Sequence, residues 1–287
     1  DEQSLEKIVN QILENGKIVE KDIPESVAAQ VEEMREEIME SVASSSEALL
    51  DKYFGGEELS YEEVCGGLRQ GVLNGELKPI VFGTVLKDVG VRDLLEMIAM
   101  FMPAPNDLKS IGGTIPRTEE RIVRKTNNQE PFSGYVFKTA VDPFMGTMNY
   151  VKIFSGTLSS GQKAVVANTG KEVKIGNLFI LRGNEQISVD TLNAGDVGVV
   201  AKIDEMYTGC TIADPKSPVI LDGAPIPSPT IFVAVHPKNK KDEDKISSSL
   251  AKLSIEDPSF QYKRNPETAQ LLVGGQGMQH INLVLEK

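Results

Sequence analysis

Few residues in this chain come in the types and spacings that perform chemistry. Asn239-Lys240-Lys241-Asp242 satisfies the N-K-x-D pattern that reads guanine in GTPases. It stands at the mouth of a predicted helix, where Asn and Asp act as caps, so it reads as a solvated loop and helix cap. Gly274, Gly275 and Gly277 precede a second predicted helix and could turn N–H groups toward a phosphate. A lone glycine cluster more often makes a tight turn, and that is the reading adopted. The two histidines, His236 before Pro237 and His280 after the glycines, have no cluster of acids or cysteines around them. Metal and hydrolytic chemistry therefore lack a nucleus, and His280 reads as a packed or capping side chain. Cys65 and Cys210 fall in different predicted units, which fits a reducing compartment and gives no disulfide framework. No stretch matches G-x-x-x-x-G-K-[ST], the loop that cradles nucleotide phosphates. No catalytic and no metal-ligating residue is expected.

The elements that would have to position any site change character twice along the chain. Val27, Val31, Met34, Ile38 and Val42, then Leu49 and Leu50, recur at helical spacing from Pro24 until Gly55-Gly56 ends the run. Ser60-Tyr61-Glu62-Glu63 resembles a capping box for a second helix ending near Gly71, and these helices read as a solvated outer layer. "KPIVFGTVLKDVGVRDLLEMIAMFMPAPND", residues 78 to 107, reads as a buried strand, a polar loop and an amphipathic helix, the last unit of a parallel α/β domain. From residue 131 the period becomes two, punctuated by Asp142-Pro143, Gly146, Ser155-Gly156, Ser160-Gly161 and Asn168-Thr169-Gly170, which predicts a hairpin-rich antiparallel sheet closed into a small barrel. After the stiff "PIPSP" linker come a strand, a helix striped by Ile246, Leu250 and Leu253, two strands about Asn265-Pro266, and a final helix. That order suits a split-βαβ sandwich without its last strand.

The net charge of -12 is unevenly spread: residues 1–100 hold 22 acidic and 9 basic residues, and residues 101–287 hold 20 and 21. The later two thirds can thus approach a polyanion without long-range repulsion. No run of about eighteen apolar residues is present, so no membrane partner is expected.

At this point the residues resemble a family. "PFSGYVFKT", "DPFMGTMNYVKIFSGTL" and "NAGDVGVV" closely resemble the barrel domain of bacterial elongation factor G. "VGGQGMQHINL" resembles that family's turn and helix start in domain three, and "IPESVAAQVEEMREEIMESVA" with "LLDKYFGGEELSYEEV" resembles the helical tail of its GTPase domain. The resemblance implies a multidomain α+β chain: a GTPase-domain remnant over 1–106, a linker over 107–130, the antiparallel β-barrel over 131–222, a linker over 223–229 and a truncated ferredoxin-like sandwich over 230–287. The start at Asp1 and the missing final strand fit a piece of a longer protein.

It also implies a ribosome-dependent translational GTPase of the translocation step, using GTP and magnesium in the parent and no cofactor in this segment; a cytoplasmic location is expected, and the oligomeric state is not read from the sequence, a monomer being the expectation. "GTVL" takes the place of the family's last guanine-recognition motif, so Thr84, Val85 and Leu86 carry over as the base-contacting positions. N-K-x-D would lie upstream of that motif in such a domain and here lies downstream, which again excludes it. Lys138, Lys152, Lys163, Lys263 and Arg264 are the basic residues expected to meet ribosomal RNA. Met278, Gln279 and Asn282 depart from the family's usual Glu, Leu and Glu, while His280 matches, as in a divergent paralogue. The alternatives are a release, recycling or ribosome-protection factor, or a non-enzymatic barrel-plus-sandwich interaction module.

Overall fold

In the computed structural model, residues 12–14, 17–19, 22–142, 144, 146–183, 185–237 and 243–287 are described. Asn239 to Asp242, with the N-K-x-D pattern and the expected Asp242 cap, lie outside them, as do Pro143 and Met145. The chain divides into two compact units, residues 1–104 and 105–287.

The first unit opens with a short hairpin, β1 (Ile12–Glu14) and β2 (Lys17–Val19), and continues as helices. The run expected from Pro24 to Gly55 is two helices, α1 (Glu25–Ala43) and α2 (Glu47–Phe54). Ser44 to Ser46 separate them because serine hydroxyls bond the backbone in place of helix continuation: Ser46 accepts from the Leu49 N–H at 3.3 Å and starts α2. The capping box at Ser60 begins α3 (Tyr61–Leu73), with Glu63 accepting from the Ser60 N–H at 2.9 Å and pairing with Lys52 at 2.7 Å. α4 (Val91–Phe101) follows, and Arg69 donates to the Met100 carbonyl at its end, 3.0 Å away.

The buried strand expected before α4 is not formed. Residues 78–83 form no strand, pair with no sheet and are exposed, with Ile80 at 78% and Phe82 at 90%. A parallel strand exists only through hydrogen bonds to neighbouring strands and cover on both faces, and this unit supplies neither to it.

In the second unit, β5 (Ser133–Asp142) and β6 (Gly146–Ser155) form the long hairpin of an eight-stranded antiparallel sheet. Its other strands are β8 (Lys163–Val166), β9 (Lys171–Lys174), β10 (Leu178–Arg182), β11 (Glu185–Val189), β13 (Val197–Ala201) and β14 (Thr211–Ala213), in the order β11-β10-β13-β6-β5-β14-β8-β9. The sheet curls about one core that includes Val136, Val151, Ile153, Leu158, Leu178, Leu192 and Ile212. Its two end strands are joined through a ribbon of β7 (Thr157–Ser159) and β12 (Thr191–Asn193). At the ribbon's end, the Gly161 N–H reaches Ile175 O at 2.9 Å beyond β9, and the Ser160 N–H reaches Asp190 O at 3.0 Å beyond β11. Barrel closure thus uses a ribbon in place of a continuous ladder.

Residues 107–130, expected as linker, instead contain a hairpin of β3 (Ser110–Thr114) and β4 (Arg121–Lys125), extended by β15 (Ile220–Leu221). Gly113 is what lets β3 approach β15: a Cβ there would lie 2.6 Å from Ile220 O. Ile111 and Ile122 pack with Val165, Ala213, Val219 and Leu221, and Arg121 grips Asp222 bidentately at 2.7 and 2.5 Å.

The sandwich has β16 (Ile231–Val235), α5 (Glu243–Glu256), β17 (Gln261–Arg264), β18 (Leu271–Gly275) and α6 (Met278–Glu286), with sheet order β16-β18-β17. The Ile246, Leu250, Leu253 stripe packs with Phe260, Val273, Ile281 and Val284 into its core.

Ile153→Ala, at a side chain with no exposed surface, is expected to lower the stability of the second unit by about 2–5 kcal/mol. Phe82→Ser should shift the first unit by less than about 0.5 kcal/mol. Denaturant titration of both variants checks this, and a large loss from Phe82→Ser would mean that segment is packed after all.

Candidate functional site

"GTVL" forms a pinched loop. Thr84 and Val89 exchange backbone bonds, N–H to O at 2.9 and 3.2 Å, and Val85–Lys87 make one 3-10 turn between them. The neck is narrow because Gly83 and Gly90 lie back to back: a Cβ on Gly90, whose φ is 77°, would sit 2.7 Å from Phe82 O. The Thr84 N–H is spent on this neck. A base contact from this loop would have to come from Val85 or Leu86, which stand 81% and 101% exposed.

The basic residues separate into three places. Lys138 and Lys152 lie on adjacent strands of the barrel's outer face, where Lys138 pairs with Tyr150, and Lys152 pairs with Tyr135 and Val197. A bulge between Val136 and Lys138 turns two consecutive side chains, Phe137 and Lys138, outward together. Phe137 meets Tyr150 edge to face at 6.2 Å, Lys138 Nζ stands 5.1 Å above the Tyr150 ring, and Lys152 Nζ stands 5.5 Å above Phe154. This is an aromatic and lysine ladder, with ring faces for stacking and charges for phosphate. Lys163 lies on β8, beyond β14 from that ladder. Lys263 and Arg264 lie on β17 of the sandwich, with Lys263 Nζ 4.1 Å above Phe232. The sequence reading missed Phe137 and Tyr150; the available signal was the alternation Tyr150-Lys152-Phe154, each outward of buried Val151 and Ile153.

The glycine-rich turn is occupied by the protein itself. Gly274 and Gly275 are ladder residues of β18, paired with Phe232 and Ile231. The Gln276 N–H donates to His280 Nδ1 at 3.0 Å, and Gly277 is the N-cap of α6. Because Nδ1 accepts, Nε2 carries the proton and donates to Asp257 Oδ2 at 2.8 Å. Burial alone would raise the Asp257 carboxyl, but bonds from Ser259 and His280 outweigh it and hold the group below its usual range. His280 is thus a positioning imidazole packed edge-on to Phe260. Among the described residues no group of three or more His, Cys, Asp or Glu could hold a metal, and no helix is long and apolar enough to cross a membrane.

Two family models match in series: elongation factor G domain 2 over residues 131–214, and elongation factor G domain III over residues 226–287. The chain belongs to the elongation factor G family. It is also similar to a solved structure from Thermus thermophilus, at 29% identity with a TM-score of 0.78, over 96% of this chain and 39% of that one. The chain spans about two fifths of that protein's length. In elongation factor G terms the barrel with its aromatic and lysine ladder is domain 2, and the sandwich with the His280 turn is domain III, so the chain carries domains of a translation factor.

Cys210 sits in the domain 2 core with its thiol pushed up to about 11 by burial, whereas Cys65 is half-buried on α3. At pH 8 only about a thousandth of a thiol of that pKa is thiolate. Timed iodoacetamide labelling read by mass spectrometry should modify Cys65 more than tenfold faster than Cys210, and denaturant should abolish the difference; equal native rates would place Cys210 outside the core.

Proposed function

We propose that this chain works within a ribosome-dependent translational GTPase acting at translocation, and that its barrel and sandwich contact ribosomal RNA in the cytoplasm. The observation that carries the reading is the succession of domain 2 and domain III in one chain. The ladder of Phe137, Lys138, Tyr150 and Lys152 supports it, because aromatic faces with interleaved lysines are what unpaired RNA binds. GTP and magnesium are proposed for the whole protein, with Thr84 to Leu86 near the base. The residues present do not fit the triphosphate: the sequence holds no phosphate-binding loop, and the Thr84 N–H is already used.

A second reading, a release, recycling or ribosome-protection task, is favoured by Met278, Gln279 and Asn282. All three are exposed on α6, so their departure from the family's usual residues alters what the helix presents and leaves its packing alone.

Two measurements test the proposal. Sedimentation with ribosomes should show binding that weakens as salt rises, and Lys138→Glu with Lys152→Glu should weaken it and shallow the salt slope by about 1.5. Equal pelleting at low and high salt would count against RNA contact. Titration with a fluorescent guanine nucleotide in magnesium buffer should show no saturable micromolar binding, since one N–H bond supplies about 1 kcal/mol and a micromolar complex needs about 8 kcal/mol. Saturable binding would overturn the assignment of residues 78–107 as an incomplete nucleotide site.

A further inference from the structure

The end of α5 is built against the ordinary electrostatics of helices. Glu256 closes the helix and Asp257 follows it, two acids where the helix dipole favours bases, and no base stands in the last turn. Each carboxylate is held by donors from elsewhere. Glu256 Oε1 accepts the Val141 N–H of the barrel at 3.0 Å, and its Oε2 lies 3.7 Å from Lys287 Nζ. That N–H is available because β14 covers β5 only over Ser133–Tyr135, leaving the far end of β5 without a strand on that side. Asp257 takes the Ser259 N–H and hydroxyl at 2.9 and 2.6 Å, and the His280 Nε2–H.

From His280 the connection continues to the inter-domain linker. Its Nδ1 holds the Gln276 N–H, and the Gln276 side chain donates to Ser228 O at 2.7 Å and to Pro227 O at 3.4 Å. Thr230 closes the same corner, its hydroxyl donating to Gln276 O at 2.9 Å and its N–H to Gly275 O at 2.9 Å. The sandwich is therefore bonded to the barrel through Glu256 on β5, and to the linker that enters it through Gln276 on residues 227–228. The segment from Asp257 to His280 joins those points.

We propose that Gln276, His280 and Glu256 form a latch that holds the sandwich on the barrel at Glu256 and clamps the inter-domain linker to the sandwich at Gln276, with the unprotonated Nδ1 of His280 as the part on which linker docking depends. Gln276 and His280 act as positioning residues: they touch the linker and the turn, and through them set whether Glu256 reaches Val141. The latch turns a glycine-rich turn that resembles an anion site into an internal joint. Its release would free the sandwich to change its angle to the barrel without unfolding either.

Isosteric variants separate the parts. Gln276→Glu keeps the shape but sets a carboxylate oxygen against the Pro227 and Ser228 carbonyls. His280→Gln keeps a donor toward Asp257 and loses the acceptor for Gln276, whereas His280→Asn keeps an acceptor near the Nδ1 position. Amide-resolved hydrogen exchange on the full chain is the measurement, with Val141 as reporter because it belongs to the barrel and its N–H bonds across the joint to Glu256. Gln276→Glu and His280→Gln are expected to speed Val141 exchange at least about fivefold, with Val151 and Val273 in the two cores unchanged and His280→Asn close to the parent. Unchanged Val141 exchange in Gln276→Glu would overturn the latch. Val141 and Val273 accelerating together would also overturn it, as general loosening of the sandwich. His280→Asn behaving like His280→Gln would remove Nδ1 from the proposal.

Discussion

The pairing of β5 with β6 is the constraint on which the second unit depends. These are its longest strands, ten residues each, and their register decides which side chains enter the barrel core and which face outward. Val136, Val151 and Ile153 go in; Lys138, Tyr150 and Lys152 go out. The bulge at Phe137 shifts the parity of β5 once, so that Thr139 turns inward, buried and bonded to Asn149 at 3.0 Å, while two neighbouring residues before it stand outside. Without that one-residue shift, Lys138 would lose its place opposite Tyr150 and the far end of β5 would not offer Val141 to Glu256. One local irregularity thus sets a core, a surface ladder and an inter-domain contact.

What the sequence made legible follows from how local each cause is. The barrel hairpins were legible because period-two alternation and glycine turns act over a few residues, and each of the turns at Gly146, Gly156, Gly161 and Gly170 is present with φ between 67° and 80°. The capping box at Ser60 was legible for the same reason. The strand expected over residues 78–82 failed because strand formation depends on partners far away in the chain, and no periodicity within "KPIVF" reports whether those partners exist. The β3 and β4 hairpin was missed for the converse reason. Its glycines and charges look solvated until Ile220 and Asp222, about a hundred residues later, are brought beside them.

The candidate site was legible in its residue types and not in its grouping. The lysines could be named singly, but their division among barrel face, β8 and sandwich is set by strand order, which crosses over at β14 and β13. The aromatic partners of Lys138 and Lys152 depend on register and bulge, and a bulge leaves little mark in a sequence. The glycine cluster shows the limit most plainly. Its composition permits an anion cradle, yet the Gln276 N–H is committed to His280, a choice made by an Asp257 carboxylate 23 residues upstream that fixes the imidazole tautomer.

Charge distribution then limits which unit can meet a polyanion. The first hundred residues carry a net excess of acids and the remainder is close to neutral. A neutral surface gives no long-range steering, so binding there rests on contacts made within about one Debye length, roughly 8 Å at physiological salt. Within that range, lysines held over rings serve better than free ones. Lys138 Nζ over Tyr150 and Lys263 Nζ over Phe232 are already placed by their rings, so less side-chain freedom remains to be lost when a phosphate binds. On such a surface, a polyanion that matches the ladder in shape would be favoured over one that is merely charged.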